Sequence, residues 1–293
     1  MAKTNQPGDT PASPARNVLL AGAGDVCLRI ARRLAAQGDQ VWGLRRQPPA
    51  GDTDGIRWIA ADLTRPNTLT VIPSAISHVI YAPSPDARDE SAYRHVFVNG
   101  LDNLFDQLDH ATLQRVVFLS SSAVYGDQGD EWVDEDTPVQ PKGFNGRILV
   151  EAEKRLAAIQ SDVVVLRLAG LYGPGRLQLL ERLKNGQARV HTSGRQWANR
   201  LHVDDAARAT VHVLGLQAPT PCYVVADDTP HHIGELYDQL AAMIGAPPVP
   251  RDERLAANTG RRLRNARLKA SGFTPLWPDA IAGYRALLGE FRE

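Results

Sequence analysis

The stretch Val18-Leu19-Leu20-Ala21-Gly22-Ala23-Gly24-Asp25-Val26-Cys27 decides the fold. Four apolar residues in a row read as a short strand buried on both faces. Two glycines follow, and then Val26, Ile30 and Leu34 recur at helical spacing up to Gly38. A strand, a glycine turn and a helix in that order make a loop suited to phosphate. The first glycine permits the tight turn. Gly24 lets the backbone approach a pyrophosphate, whose charge meets the helix N-terminus. The third small position of this fingerprint holds Cys27 instead of glycine. Gly22, Gly24, Asp25 and Val26 are the residues expected to touch a dinucleotide.

Working outward, strands read at 40–44, 56–60, 78–82, 115–120 and 163–168, and helices at 26–37, 92–108 and 145–159. Strands alternating with helices predict an α/β fold with a parallel, doubly wound sheet of the Rossmann type. After Gly173-Pro174-Gly175 the alternation loosens. Short strands at 201–203 and 223–225 flank a helix at 204–215, and further helices read near 234–244 and 279–291. The expected organisation is a disordered tail over 1–16, carrying Pro7, Gly8, Pro11, Ser13 and Pro14, and a dinucleotide-binding core over 17–172. A smaller C-terminal substrate lobe follows over 173–293, from which 201–226 returns to the core.

The 293 residues include 43% apolar ones, enough for a substantial core, and basic and acidic residues balance at 33 each. A neutral chain argues against nucleic acid or an anionic membrane as partner, and no apolar run approaches a membrane span. Two cysteines, Cys27 and Cys222, suit a reducing cytoplasm. The eight histidines show no metal-ligand spacing, so no metal is expected.

The second strand ends Val41-Trp42-Gly43-Leu44-Arg45-Arg46, with no acid before Asp52. NAD enzymes place Asp or Glu here for the ribose 2′-hydroxyl, whereas arginines clamp a 2′-phosphate. Arg45 and Arg46 therefore point to NADP, with NAD as second choice. Alternatively they are a solvated basic pair.

The chain resembles the extended and atypical short-chain dehydrogenase/reductase superfamily, in its NAD-dependent epimerase/dehydratase branch. Phe118-Leu119-Ser120-Ser121-Ser122-Ala123-Val124-Tyr125-Gly126 is the most specific match, and Leu201-His202-Val203-Asp204-Asp205 fits a second element. The resemblance implies that Asp62 and Leu63 lie at adenine and that Ala82 and Pro83 lie beside the cofactor ribose. It implies a substrate-binding serine at Ser121 with Ser122 as neighbour, and a supporting Asn at Asn99. Its catalytic Tyr and Lys fall on Gly143 and Arg147 when the helix is anchored on Glu151. Arg147 supplies positive charge but moves no proton at ordinary pH. Tyr125 and Tyr172 offer phenols from other loops, or pack beside the cleft. Relatives that use nucleotide sugars place a phosphate-binding Arg where this chain has Ala198; Arg200, Arg176 and Arg195 are the nearby alternatives. Two functions stay open. One is an NAD(P)-dependent oxidoreductase or epimerase/dehydratase acting on a small, nucleotide-linked or sugar substrate, without the Tyr-x-x-x-Lys pair. The other is an NADP(H)-binding redox sensor or regulatory protein without turnover. The family resemblance also implies a homodimer through 92–108 and 145–159.

Overall fold

The structure, a computed structural model, describes residues 15–50, 55–159, 161–255 and 260–290. Five strands, β1 (Asn17–Ala21), β2 (Gln40–Arg45), β3 (Arg57–Ala60), β4 (His78–Tyr81) and β5 (Arg115–Ser121), join Asp162–Leu168 and Cys222–Val225 in one seven-stranded sheet. Across the sheet the order is Cys222–Val225, Asp162–Leu168, β5, β4, β1, β2, β3, and every neighbouring pair is parallel. The chain winds outward from β1 one way and from β4 the other. Right-handed crossovers in opposite directions put their helices on opposite faces, which is the doubly wound arrangement. Helix α1 (Asp25–Ala36) packs with the helix Val203–Gly215, and the 90–105 segment packs with the helix Phe144–Leu156. With both faces covered, the strands need apolar side chains on both sides, so Val18 to Ala21 are all buried.

The outer edge of Cys222–Val225 is closed by a side chain. The carboxylate of Glu135 accepts the Val224 N–H at 2.7 Å. An edge strand whose N–H is taken in this way offers less to a foreign strand.

Two elements differ from the sequence expectation. The helix expected at 92–108 is interrupted: Glu90–Arg94 and Gly100–Phe105 are α-helical, and His95–Asn99 between them is a π turn. Its cause is tertiary. The Tyr81 hydroxyl donates to the Val96 carbonyl at 2.6 Å, and the Gly100 N–H reaches back five residues to the His95 carbonyl. A Cβ on Gly100 would lie 3.2 Å from the Tyr81 hydroxyl oxygen, so this approach favours glycine. The N-terminal tail expected over 1–16 lies outside the described residues as far as residue 14. Arg16 is tied down by Asp39, with a 2.6 Å ion pair, so order begins before residue 17.

A second apolar core lies outside the sheet. Leu180 and Leu183 from Gln178–Lys184, Leu236 and Leu240 from Ile233–Met243, and Ile281, Tyr284 and Leu287 from the helix Ala280–Glu290 converge on Tyr172. Helix Gln178–Lys184 carries too short an apolar stripe to stand out in sequence. Three short strand pairs lie outside the main sheet: Gly170–Tyr172 pairs parallel with Arg200–His202, Trp197–Ala198 antiparallel with His231–His232, and Arg262–Leu263 parallel with Trp132–Val133.

His78 at the start of β4 is buried, with its Nδ1 2.9 Å from the Ser77 hydroxyl. Burial, followed by the charges of Arg16 and Arg115, holds its pKa down at about 4. A histidine depressed in the fold takes up its proton more readily when unfolded. Its contribution to stability is therefore present above about pH 6.5 and is lost as pH falls toward 4. Comparing melting temperatures of wild type and His78→Gln across that window should show a steeper acid decline in wild type. Parallel curves would exclude His78 as a source of the decline.

Candidate functional site

Parallel strands deliver their loops to one edge, and here the glycine loop, Arg45-Arg46, Asp62-Leu63, Ala82-Pro83 and Ser121-Ser122 each lie at or just after a strand's carboxyl end. The loops after β1 and β4 are adjacent because those strands are neighbours and wind apart, which opens the crevice at the switch point.

Gly22 has φ +84°, and a Cβ there would lie 2.7 Å from the Pro83 nitrogen. The turn is fastened by the Gly22 and Ala23 N–H groups, which donate to the Leu44 carbonyl at 3.1 and 2.9 Å. Gly24 caps α1, and a Cβ there would meet nothing nearer than the Gly22 carbonyl at 3.9 Å. The two glycines thus do different work: Gly22 is needed by the fold, and Gly24 leaves open space before a helix N-terminus. That cradle fits a pyrophosphate. Asp25 sits in the first turn of α1, neutralised by Arg29 at 3.1 Å and Arg176 at 3.3 Å. Val26 is buried, and so is Cys27, whose thiol burial pushes up to about 12. Cys27 is a core residue.

Arg45 and Arg46 part company. Arg45 stays by the glycine loop, with Nη1 3.5 Å from the Ala23 carbonyl. Arg46 forks onto exposed Asp86 with two 2.5 Å contacts. Asp62 spends one carboxylate oxygen on Thr64, accepting from its N–H at 2.9 Å and its hydroxyl at 2.8 Å. Leu63 is buried, and its carbonyl accepts from the Asn103 amide. Ala82 donates to the Ala21 carbonyl at 2.9 Å, which seats Pro83 over Gly22.

At the end of β5, the Ser121 Oγ accepts the Ala123 N–H at 3.2 Å and caps a single turn, Ser122–Tyr125. Its hydroxyl proton stays available to a ligand. Ser121 and Ser122 line a cavity of about 340 Å³ together with Gln196, Trp197, Arg200 and Arg261. The wall behind them is rigid. Ser120 donates to Glu153 at 2.6 Å, Glu153 pairs with Arg167 at 2.7 Å, and Arg167 donates to the Tyr125 hydroxyl at 2.9 Å. Tyr125 is fully buried, and burial raises its phenol above the ordinary value, so it packs and does not face the cavity. Tyr172 is likewise buried in the second core.

The remaining sequence candidates lie elsewhere. Asn99 is exposed at the end of the π turn, while Phe97 is the residue that meets Phe118 of β5. Arg147 is exposed and donates to the Lys142 carbonyl at 3.0 Å. Gly143 caps Phe144–Leu156. Arg195 is exposed, and Arg176 belongs to the glycine-loop side through Asp25. His202 caps Val203–Gly215, its Nδ1 accepting the Asp204 N–H at 3.2 Å. Sequence reasoning missed Arg261 because it lies in an irregular stretch with no periodic signal, beside the short strand Arg262–Leu263 that the structure carries back to the cavity. Among the described residues no group of three His, Cys, Asp or Glu side chains could hold a metal, and no helix is long and apolar enough to cross a membrane.

Sheet order and glycine loop together define a Rossmann-type α/β fold. Residues 18–226 match the profile of the NAD dependent epimerase/dehydratase family, and the chain belongs to that family. It is 29% identical over 279 residues to the Escherichia coli (strain K12) protein YeeZ, covering 91% of this chain and 98% of that one. It is also 29% identical over 255 residues to a Streptomyces 3-diazoavenalumate denitrifying reductase, covering 79% of this chain and 82% of that one. A solved Methylobacillus flagellatus structure described as an NAD-dependent epimerase/dehydratase superposes with TM-score 0.79 at 38% identity, over 96% of this chain and 100% of that one.

Two tests follow from the packing. Gly24→Val should fold within about 1 kcal/mol of wild type, since only the cap is altered, and should lose dinucleotide binding in a fluorescence titration. Gly22→Ala should instead unfold earlier in denaturant, by about 1–3 kcal/mol of backbone strain and crowding. Normal binding by folded Gly24→Val would show that the loop holds no phosphate. Separately, Glu153→Ala leaves Arg167 buried without its carboxylate, and should lose about 3–5 kcal/mol in chemical denaturation.

Proposed function

We propose that the protein is an NAD(P)-dependent oxidoreductase of epimerase/dehydratase type that works on a small molecule held against Ser121, without a Tyr-x-x-x-Lys pair. The observation that carries this reading is the double position of Ser121 and Ser122. Ser121 ends β5 and Ser122 opens the turn after it, two strands from the glycine loop's own β1, and both line the cavity. When bound, the nicotinamide supplies hydride transfer. Gly22, Gly24 and the α1 N-terminus would hold its pyrophosphate, Asp62 and Leu63 its adenine side, and Ala82 and Pro83 its ribose.

The protein's own part is positional. The Ser121 hydroxyl, already accepting from Ala123, donates to a substrate oxygen and polarises it. Apart from the two arginines, no titratable side chain lies among the described residues lining the cavity. Proton exchange there therefore runs through Ser121 and solvent. An acceptor that takes hydride with little help from an acid suits such a site, and the Streptomyces relative, a reductase by name, supports the reductive direction. The substrate lobe, 173–293, would close over the cavity, and pairing of two chains through the 90–105 segment and Phe144–Leu156 belongs to the same reading. Exposure of Arg147 and the bare Gly143 favour the second reading, an NADP(H) sensor without turnover.

Arg45, beside the loop, supports a 2′-phosphate and hence NADP over NAD; Arg46 is occupied by Asp86. Arg45→Ala should weaken NADP(H) binding about tenfold or more while sparing NAD(H), and Arg46→Ala should do less. Equal affinities of wild type for the two cofactors would refute the preference. Ser121→Ala should keep cofactor binding and lose turnover by about a hundredfold. If wild type binds cofactor but sustains no turnover across a panel of carbonyl substrates, the sensor reading replaces this one.

A further inference from the structure

We infer that a second small-molecule site, separate from the Ser121 cavity, lies between α1 and the helix Val203–Gly215, and that it takes a planar aromatic carboxylate. The inference goes beyond the proposed function and shares no residue with it. Three observations support it.

First, two helices and a turn build the walls. Arg33, Ala36 and Gln37 stand at i, i+3 and i+4 around the end of α1, and Arg208, Val211 and His212 repeat that spacing on the neighbouring helix. Residues so spaced share one helix face. The two helices pack together, so the two triplets flank one groove. Phe273, just beyond the helix Ala266–Ala270, supplies the third wall. The cavity is about 470 Å³, larger than the one beside Ser121 and within the range of small-molecule sites.

Second, the third wall is fastened in place. The Arg208 Nη1 donates to the Asp205 carboxylate at 2.6 Å and to the Thr274 carbonyl at 3.1 Å. Asp205 is buried and also accepts the Leu276 and Trp277 N–H groups at 3.0 and 2.8 Å. The His212 Nε2 donates to the Ser271 carbonyl at 3.1 Å and lies 2.9 Å from the Ser271 hydroxyl. These bonds hold the Arg208 guanidinium over the Phe273 ring, 5.2 Å from its centroid. A planar guanidinium held against one ring can take a second ring on its other face.

Third, the cavity carries a guanidinium that no acid balances. Arg33 makes no hydrogen bond among the described residues, and its Nε is buried. Its ion contact is a 4.0 Å approach to an Asp204 oxygen that Arg29 already holds at 2.7 Å. Arg208, by contrast, has Asp205. No Asp or Glu is among the described residues lining the cavity. A cation drawn from water without a close partner is costly. A carboxylate at Arg33 would offset that cost with charge-assisted hydrogen bonds. One unbalanced guanidinium suits a monovalent anion, and Ala36, Val211 and Phe273 suit an apolar ring. The site lies at the opposite end of α1 from Gly24, and the 12 residues of that helix span about 18 Å. A ligand there leaves the glycine loop free.

The test uses the full chain without dinucleotide. Isothermal titration calorimetry at constant ionic strength compares benzoate, its neutral amide benzamide, and acetate, a carboxylate without a ring. Wild type should bind benzoate saturably and at least tenfold more tightly than either of the others. Arg33→Gln removes no hydrogen bond and should weaken benzoate tenfold or more. Arg33→Lys keeps the charge and should retain more binding than Arg33→Gln, which separates loss of charge from loss of fold. Arg208→Lys gives up the flat stack and should also bind more weakly than wild type. Gly24→Val, altered only at the glycine loop, should bind benzoate as wild type does. The inference fails if benzoate does not saturate, or if benzamide or acetate binds as tightly. It fails equally if binding survives Arg33→Gln, or if Gly24→Val abolishes it, which would put the anion at the glycine loop.

Discussion

The approach of Gly22 to Pro83 governs the site. Two neighbouring parallel strands end there and send their chains in opposite directions. The first must turn within three residues to start α1, and the second must leave without filling the crevice. A glycine at φ +84° and a proline ring in van der Waals contact satisfy both needs. Once that contact is fixed, the Leu44 carbonyl collects two N–H groups from the turn, and the α1 axis is aimed across the sheet edge. The open space at Gly24, the position of Arg45 and the spacing to the end of β5 all follow.

Charge is distributed unevenly over the cleft. On the glycine-loop side, acids and bases are matched: Asp25 with Arg29 and Arg176, Asp86 with Arg46. Behind the β5 turn, Glu153 and Arg167 form a half-buried pair that holds the wall. Across the turn, Arg200 and Arg261 line the cavity and make no ion pair among the described residues. The cost of burying those groups is offset elsewhere by the two apolar cores.

Most of the sheet was legible because its strands, buried on both faces, read as apolar runs, and because glycine punctuated them. Gly22 and Gly24 were legible for the same reason, because they sit directly after a run, whereas Ser121 and Ser122 stood out only through the family resemblance. What was hidden depended on long-range placement. Arg261 stands in a loop-like stretch with no periodic signal and reaches the cavity only through pairing of Arg262–Leu263 with Trp132–Val133. Asn99 was singled out by the resemblance, and the turn around it leaves it exposed. The difference between Arg45 and Arg46 could not be read from adjacent letters, because it depends on where Asp86 lies.

The π turn at His95–Asn99 has a consequence for how this segment tolerates change in length. An α-helix advances by about 100° per residue, so one extra residue in the turn re-phases everything after it. Leu101, Leu104 and Phe105 reach the core only in that altered phase, while Phe97 and Val98 reach it in the earlier one. The two halves of the segment are therefore geared to each other through Tyr81. Removing a single residue between Val96 and Gly100 would restore an ordinary helix and rotate one apolar face into water. Such a deletion would be harmful even though it removes only a residue such as exposed Asn99. The length of this segment is thus set by a hydroxyl on the neighbouring strand and not by the helix itself.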